Sequence, residues 1–142
     1  MARAAKRSGR LALLTFDLDG FKAVNDTHGH GVGDLVLAAL GERLPQRIRE
    51  TDLIARLGGD EFAIIIEDVH SEAAVFGVAR KLLAAVEEPI TVRKASLSVS
   101  ASCGIALYPK HGRNRQALEE AADRALYRAK ERTQGVVVAA VA

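Results

Sequence analysis

The chain has no tryptophan, a single cysteine and only 4% aromatic residues. Proteins that hold single-stranded nucleic acid stack bases on aromatic side chains along a basic stripe. A few scattered Phe and Tyr argue against nucleic acid as a partner. The lone Cys103 excludes an internal disulfide and fits a reducing cytoplasm; it reads as a small buried strand residue. No apolar run approaches the ~20 residues that span a bilayer. Leu11–Leu14 is also too short to be the apolar region of a signal peptide behind the basic Met1–Arg10. The expectation is a cytoplasmic segment with no membrane partner. Repeats, linkers and low-complexity tracts are missing as well. The formal charge is +2, and Arg3, Lys6, Arg7 and Arg10 carry +4 with no acid among the first ten residues, which leaves −2 for the rest. Residues 1–10 therefore read as a solvated basic remnant and 11–142 as one domain. At 49% hydrophobic and 27% charged residues, its composition is that of a soluble globular chain able to bury a core.

Apolar spacing predicts a strand at 11–16, a helix at 34–44, strands at 53–57 and 62–67, and a helix at 72–87. Two strands near 90–93 and 97–108, a helix at 116–131 and a strand at 136–141 follow. Val36, Leu40, Leu44 and Ile48 recur every four residues as a core-facing stripe, which Pro45 ends or kinks. Val75, Val78, Leu82 and Val86 form a second stripe, with Ser71 as its N-cap and Pro89 just beyond its end. The polar stretch Arg93–Ser96 reads as the turn of a projecting hairpin, and Pro109–Arg115 as a loop. Mixed elements of this kind give an α+β sandwich, with helices on one or both faces of a mainly antiparallel sheet.

The most informative run is Arg56-Leu57-Gly58-Gly59-Asp60-Glu61-Phe62. Two glycines suit a tight turn between apolar strands, because glycine reaches positive φ without steric cost. They also leave no side chain to block a ligand lying against the turn. Two adjacent carboxylates follow. On their own they are more often a soluble turn than a site. Upstream, however, Asp17-Leu18-Asp19-Gly20 ends the first strand, and alternate carboxylates point to one side of an extended chain. If the two strands are sheet neighbours, Asp17 and Asp60 come close enough to share a divalent ion. Hard oxygen ligands suit magnesium, which bridges one or two carboxylates and substrate phosphates.

These segments resemble the GGDEF family of diguanylate cyclases. Phe16–Asp26 and Gly29–Asp34 are similar to the family's first signature, and Arg56–Phe62 to the motif that names it. Ser100–Ala106 and Ala122–Lys130 are similar to the strand and last helix that follow. Five blocks in family order make the match specific. The resemblance implies a palm-like nucleotidyl-cyclase fold. It also implies a reaction that joins two GTP into cyclic di-GMP with release of two pyrophosphates, dependent on Mg2+ or Mn2+ and run across a homodimer of half-sites.

Carried over by motif, Asp17, the Leu18 carbonyl, Asp60 and Glu61 would be the metal ligands, with Asp60 and Glu61 the catalytic pair. Phe21, Lys22 and Lys130 would meet the phosphates, Lys22 as a point charge. His30, Gly58 and Gly59 would lie against the nucleotide. Asn25 and Asp34 would read the guanine edge, since a carboxylate accepts from guanine N1–H and N2–H₂ and an amide both donates and accepts. Ordinary alternatives stand beside these roles: an exposed loop cation for Lys22, a helix N-cap for Asp34, a solvated acidic rim for the carboxylates. His28-Gly29-His30 has no third ligand nearby in sequence and is not read as zinc. Arg49 and Asp52 match the family's inhibitory Arg-x-x-Asp motif, with Arg80 as a helper; the alternative is an exposed surface ion pair of little energetic value.

The resemblance has gaps. The family's Leu-Thr-Gly-Leu-x-Asn-Arg segment and helix before the first strand are not matched by Met1–Arg10, beyond a partial helix at Ala2–Ser8. Thr133-Gln134-Gly135 stands where a glycine, a basic residue and an asparagine are usual, so a second phosphate-contacting cation is missing unless Arg128 or Arg132 takes its place. These gaps bear on the nucleotide pocket and on substrate affinity, and slow basal turnover is expected because the sequence shows no obvious dimerising segment. They also keep open a non-catalytic module that binds cyclic di-GMP or GTP, and a partner-docking fragment of a larger signalling protein.

Overall fold

A computed structural model describes residues 9–131 and 135–138. Strand β1 (Leu11–Asp19) is followed by helices α1 (Phe21–His28) and α2 (His30–Arg43) and a 3-10 turn (Leu44–Arg47). The hairpin β2 (Leu53–Gly58) and β3 (Glu61–Glu67) leads into α3 (Glu72–Glu87). A small hairpin, β4 (Ile90–Val92) and β5 (Ala95–Leu97), precedes β6 (Ser100–Tyr108), α4 (Arg115–Glu131) and β7 (Val136–Val138). Five strands form one sheet in the order β2-β3-β1-β6-β7, and β4-β5 stands apart. Within the main sheet only β6–β7 is parallel.

The period of two along β1 divides the molecule. Ala12, Leu14, Phe16 and Leu18 face the main core, where Phe62, Ile64 and Ile66 of β3 and Cys103 and Ile105 of β6 join them. The stripes of α2 (Val32, Val36, Leu40) and α3 (Val75, Leu82, Val86) close over this face. Ser71 caps α3 by accepting from the Ala74 amide at 3.1 Å. The opposite face carries Leu11 and Ala106 and, among the described residues, is covered only by α4, through Leu118, Ala121, Ala122, Ala125 and Ala129. Gly104 of β6 lets α4 come close: a Cβ there would overlap the Ala122 carbonyl oxygen and the Leu126 backbone nitrogen. One helix cannot cover five strands. Leu53, Leu57 and Ile65 are left exposed on a groove of about 1030 Å³ along β1, β2 and β3.

Three local expectations are corrected. The stretch between the first strand and residue 34 is helical: α1 starts behind Gly20, whose left-handed φ of 68° turns the chain out of β1. α2 starts at His30 behind Gly29, with φ 90°, so Asp34 lies inside a helix and is not its N-cap. The hairpin turn is Arg93-Lys94 alone, with φ of 48° and 69°; Ala95 and Ser96 belong to β5, and β6 starts at Ser100. Pro45 shifts the end of its helix into the 3-10 turn. The proposed helix at Ala2–Ser8, the cation position at Arg132–Gln134 and the continuation of the last strand past Val138 lie outside the described residues.

Candidate active site

The antiparallel register of β1 with β3 sets Asp17 opposite Glu61, and the Leu18 amide donates to the Asp60 carbonyl at 3.3 Å. The two acidic clusters, more than forty positions apart in sequence, thus meet at one end of the sheet. Gly58 (φ 150°) ends β2 opposite Glu61, after a bulge between Arg56 and Gly58. Gly59 (φ 48°) and Asp60 make the turn. Arg56 Nε donates to the Gly59 carbonyl at 2.9 Å and braces the tip. The space above both glycines is open.

Asp17 is pushed up to about 6 by burial, then by a hydrogen bond shared with Asp60 and by that residue's charge; Lys130 works in the other direction. Glu61 is also held above the usual carboxylate range, by burial first and then by the charges of Asp123 and Asp60. Asp123, on α4, is raised by burial and by Glu119. The Lys130 ammonium, at the end of α4, lies 3.3 Å from Asp17 Oδ2 and 3.6 Å from Asp19 Oδ1. The carboxylates of Asp17 and Asp60 are thus crowded together, with the one ammonium of Lys130 on the Asp17 and Asp19 side. Among the described residues no three His, Cys, Asp or Glu side chains converge as a complete ligand cluster. Two carboxylates and a backbone carbonyl are nevertheless a fitting donor set for magnesium, which keeps several waters and takes substrate oxygens.

Beside the acids, Phe21 and Asn25 of α1 pack against Gly33 of α2, where a Cβ would overlap Asn25 Oδ1 and approach the Phe21 ring to 3.1 Å. Asn25 Oδ1 is buried and has no hydrogen-bond partner. Lys22 and Asp34 are exposed nearby in sequence. For His30 the structure describes the backbone only, at the start of α2.

The Arg49–Asp52 pair is a closed unit and not two exposed residues. Asp52 has a buried side chain at 2% exposure against 57% for Arg49. Its carboxylate accepts from the Arg49 amide at 3.3 Å and from the guanidinium at 3.2 and 3.4 Å. Arg49 also donates to the Glu67 carbonyl at 2.9 Å. Arg80 stands on α3 with its guanidinium 5.9 Å from the Phe76 ring centre, and no hydrogen bond joins it to this pair among the described residues. Ser100 and Ser102, which carry no motif-assigned role, donate to Asp19 at 3.3 and 2.8 Å. The signal was there: two serines alternating on a buried strand that pairs with the acidic end of β1.

Comparison with known proteins is consistent over nearly the whole chain. The family model "Diguanylate cyclase, GGDEF domain" matches residues 1–135. The bifunctional diguanylate cyclase/cyclic di-GMP phosphodiesterase MucR of Pseudomonas aeruginosa is 45% identical over 91% of this chain, which spans 19% of MucR. Diguanylate cyclase TpbB of the same species is 41% identical over 93% of this chain, here 31% of the relative. The chain therefore spans less than a third of either curated relative. The crystal structure of the TpbB GGDEF domain superposes with a TM-score of 0.93 at 38% identity, covering 99% of this chain and 89% of that one.

Proposed function

Since the chain belongs to the GGDEF family of diguanylate cyclase domains, we propose that it condenses two GTP into cyclic di-GMP and two pyrophosphates, with magnesium or manganese, across a dimer of half-sites. The observation that carries this reading is the meeting of Asp17, Asp60 and Glu61 beside Lys130 at the open Gly58-Gly59 turn. Asp17, the Leu18 carbonyl, Asp60 and Glu61 would hold the cation, which when bound stabilises the oxygens gaining charge as the 3′-hydroxyl of one GTP attacks the α-phosphate of the other.

The chain's own residues do the rest. Asp60, on the turn, is the acceptor nearest the attacking hydroxyl. Lys130 and Lys22 neutralise triphosphate oxygens. Asn25 holds a buried oxygen without a partner; an unmade hydrogen bond of that kind costs about 1–3 kcal/mol, and a guanine N–H would satisfy it. Asp34, free of any capping role, would accept from guanine N1–H and N2–H₂, which selects GTP over ATP.

Arg49 and Asp52, with Arg80, form the inhibitory site for the product in this reading. The buried Asp52 holds the Arg49 guanidinium in place, leaving its outer edge for a phosphate or guanine. The finding that cyclic di-GMP is present in the crystal structure of the GGDEF domain of DgcB from Caulobacter crescentus, a TM-score of 0.85 away at 27% identity, supports such a ligand.

Incubation with GTP and magnesium, resolved by chromatography, tests the assignment. Cyclic di-GMP should accumulate with the wild-type chain and fall at least a thousandfold, on the order of the loss of one essential group, with Asp60→Ala. Synthesis that survives this change would refute the catalytic role. Arg49→Ala should leave the initial rate intact and abolish inhibition by added product. Inhibition that persists would remove the inhibitory site from the account.

A further inference from the structure

Asp19 sits one pleat beyond Asp17 on the same face of β1. Across the ladder, Asp17 pairs with Ser102 and Asp19 with Ser100, so two acids and two serines alternate on one surface beneath the end of α4. Ser102 Oγ donates to Asp19 Oδ1 at 2.8 Å and Ser100 Oγ to Asp19 Oδ2 at 3.3 Å. Ser102 is fully buried, and a buried hydroxyl takes a partner where it finds one. One donor on each oxygen fixes the plane of the carboxylate, which would otherwise rotate about a broad torsion.

The same Oδ1 lies 3.6 Å from the Lys130 ammonium, which also reaches Asp17 at 3.3 Å. A divalent cation shared by Asp17 and Asp60 would compete with Lys130 for the Asp17 carboxylate, because the two positive charges repel. Asp19 has no such second claim. It is oriented by neutral hydroxyls and points at the ammonium.

We propose that Asp19 is a positioning residue for Lys130: clamped by Ser100 and Ser102, it keeps the ammonium beside the phosphates when Asp17 turns to a cation. The inference rests on the nucleotide-site reading above and adds to it a residue that acts through Lys130. Lysine is a point charge on a flexible four-carbon stem, so an anchor that limits its excursions lowers the cost of meeting a phosphate oxygen.

A double-mutant cycle tests this. Binding of a non-hydrolysable GTP analogue with magnesium is measured by calorimetry for the wild type, Asp19→Asn, Lys130→Met and the double variant. Thermal unfolding checks that each is folded. Lys130→Met should weaken binding about tenfold to a hundredfold, the range for a hydrogen bond to a charged group. Asp19→Asn, which keeps the shape of the side chain, should weaken it about threefold to tenfold, and the double variant no further than Lys130→Met alone, since residues acting in series do not add. Ser102→Ala should reproduce a part of the Asp19→Asn effect. Multiplying effects in the double variant would overturn the proposal. So would a Lys130→Met protein that binds normally, or an Asp19→Asn protein whose only change is a higher magnesium requirement, the mark of a metal ligand. A wild-type chain that does not bind the analogue contradicts the nucleotide site itself, whereas binding with independent Asp19 and Lys130 effects contradicts this inference alone.

Discussion

Burial and a second acid both oppose the charge of Asp17, and the chain keeps it there all the same. Its folded pKa of about 6 stands above the ordinary 3.8. A carboxyl raised on folding contributes stability below its unfolded value and loses it as pH rises through the folded one. Between about pH 4 and pH 7, ionising Asp17 therefore works against the fold in the absence of a cation. Asp17→Asn should raise the melting temperature at pH 8 in EDTA and leave it nearly unchanged at pH 4. Magnesium should stabilise the wild type at pH 8 by mass action and leave Asp17→Asn unmoved. Equal melting temperatures for the two proteins at pH 8 in EDTA would show that the carboxylates are not in conflict. Burial also pushes the Cys103 thiol up, so the single cysteine stays an inert core residue, as its place on an apolar strand suggested.

Among the elements, α4 links packing to chemistry. It rests on Gly104 and delivers Lys130 and Asp123 to the acids. Gly104→Ala would drive a methyl group into the Ala122 carbonyl and the Leu126 backbone, with no flexible side chain to yield. It should destabilise the domain by about 1–3 kcal/mol or more, as overpacking does, measured by urea unfolding. It should also weaken nucleotide binding, because the end of α4 shifts with its middle. A substitution that costs stability and leaves binding intact would uncouple the two. Element by element, legibility followed the strength of local signals. α3 was readable to its ends because an apolar stripe, a serine cap and a following proline agree. α1 was not: eight residues with no buried side chain give no period, and the cue that remained was Gly20. The first turn of α2, His-Gly-Val-Gly, hides its helix for the same reason. The convergence of Asp17 with Asp60 and Glu61 was legible as a condition, that the strands be neighbours, which only the register β1–β3 meets. Lys130 bridging Asp17 and Asp19 was beyond local reading, because it depends on how far α4 slides along the sheet.

Over the whole molecule, the two faces of the sheet are unequal. Helices α2 and α3 bury one of them, while α4 leaves β2 and β3 partly bare, with Leu53 at 59% and Leu57 at 57% exposure. No helix among the described residues is long and apolar enough to cross a membrane. In the proposed function the acids and Lys130 at the open turn, with Phe21 and Asn25 packed on Gly33 beside them, hold one nucleotide per chain. Closing a ring from two nucleotides takes two attacks, one from each 3′-hydroxyl, and a single such constellation can present only one nucleotide. In this account two copies must meet face to face, each supplying one GTP. The measurement that tests this most directly is the initial rate of cyclic di-GMP formation across a hundredfold range of protein concentration, at saturating GTP and magnesium. The rate per chain should rise in proportion to protein concentration while dimers are scarce. A rate per chain that stays constant over the whole range, in protein shown to be monomeric, or no product at any concentration, would contradict it.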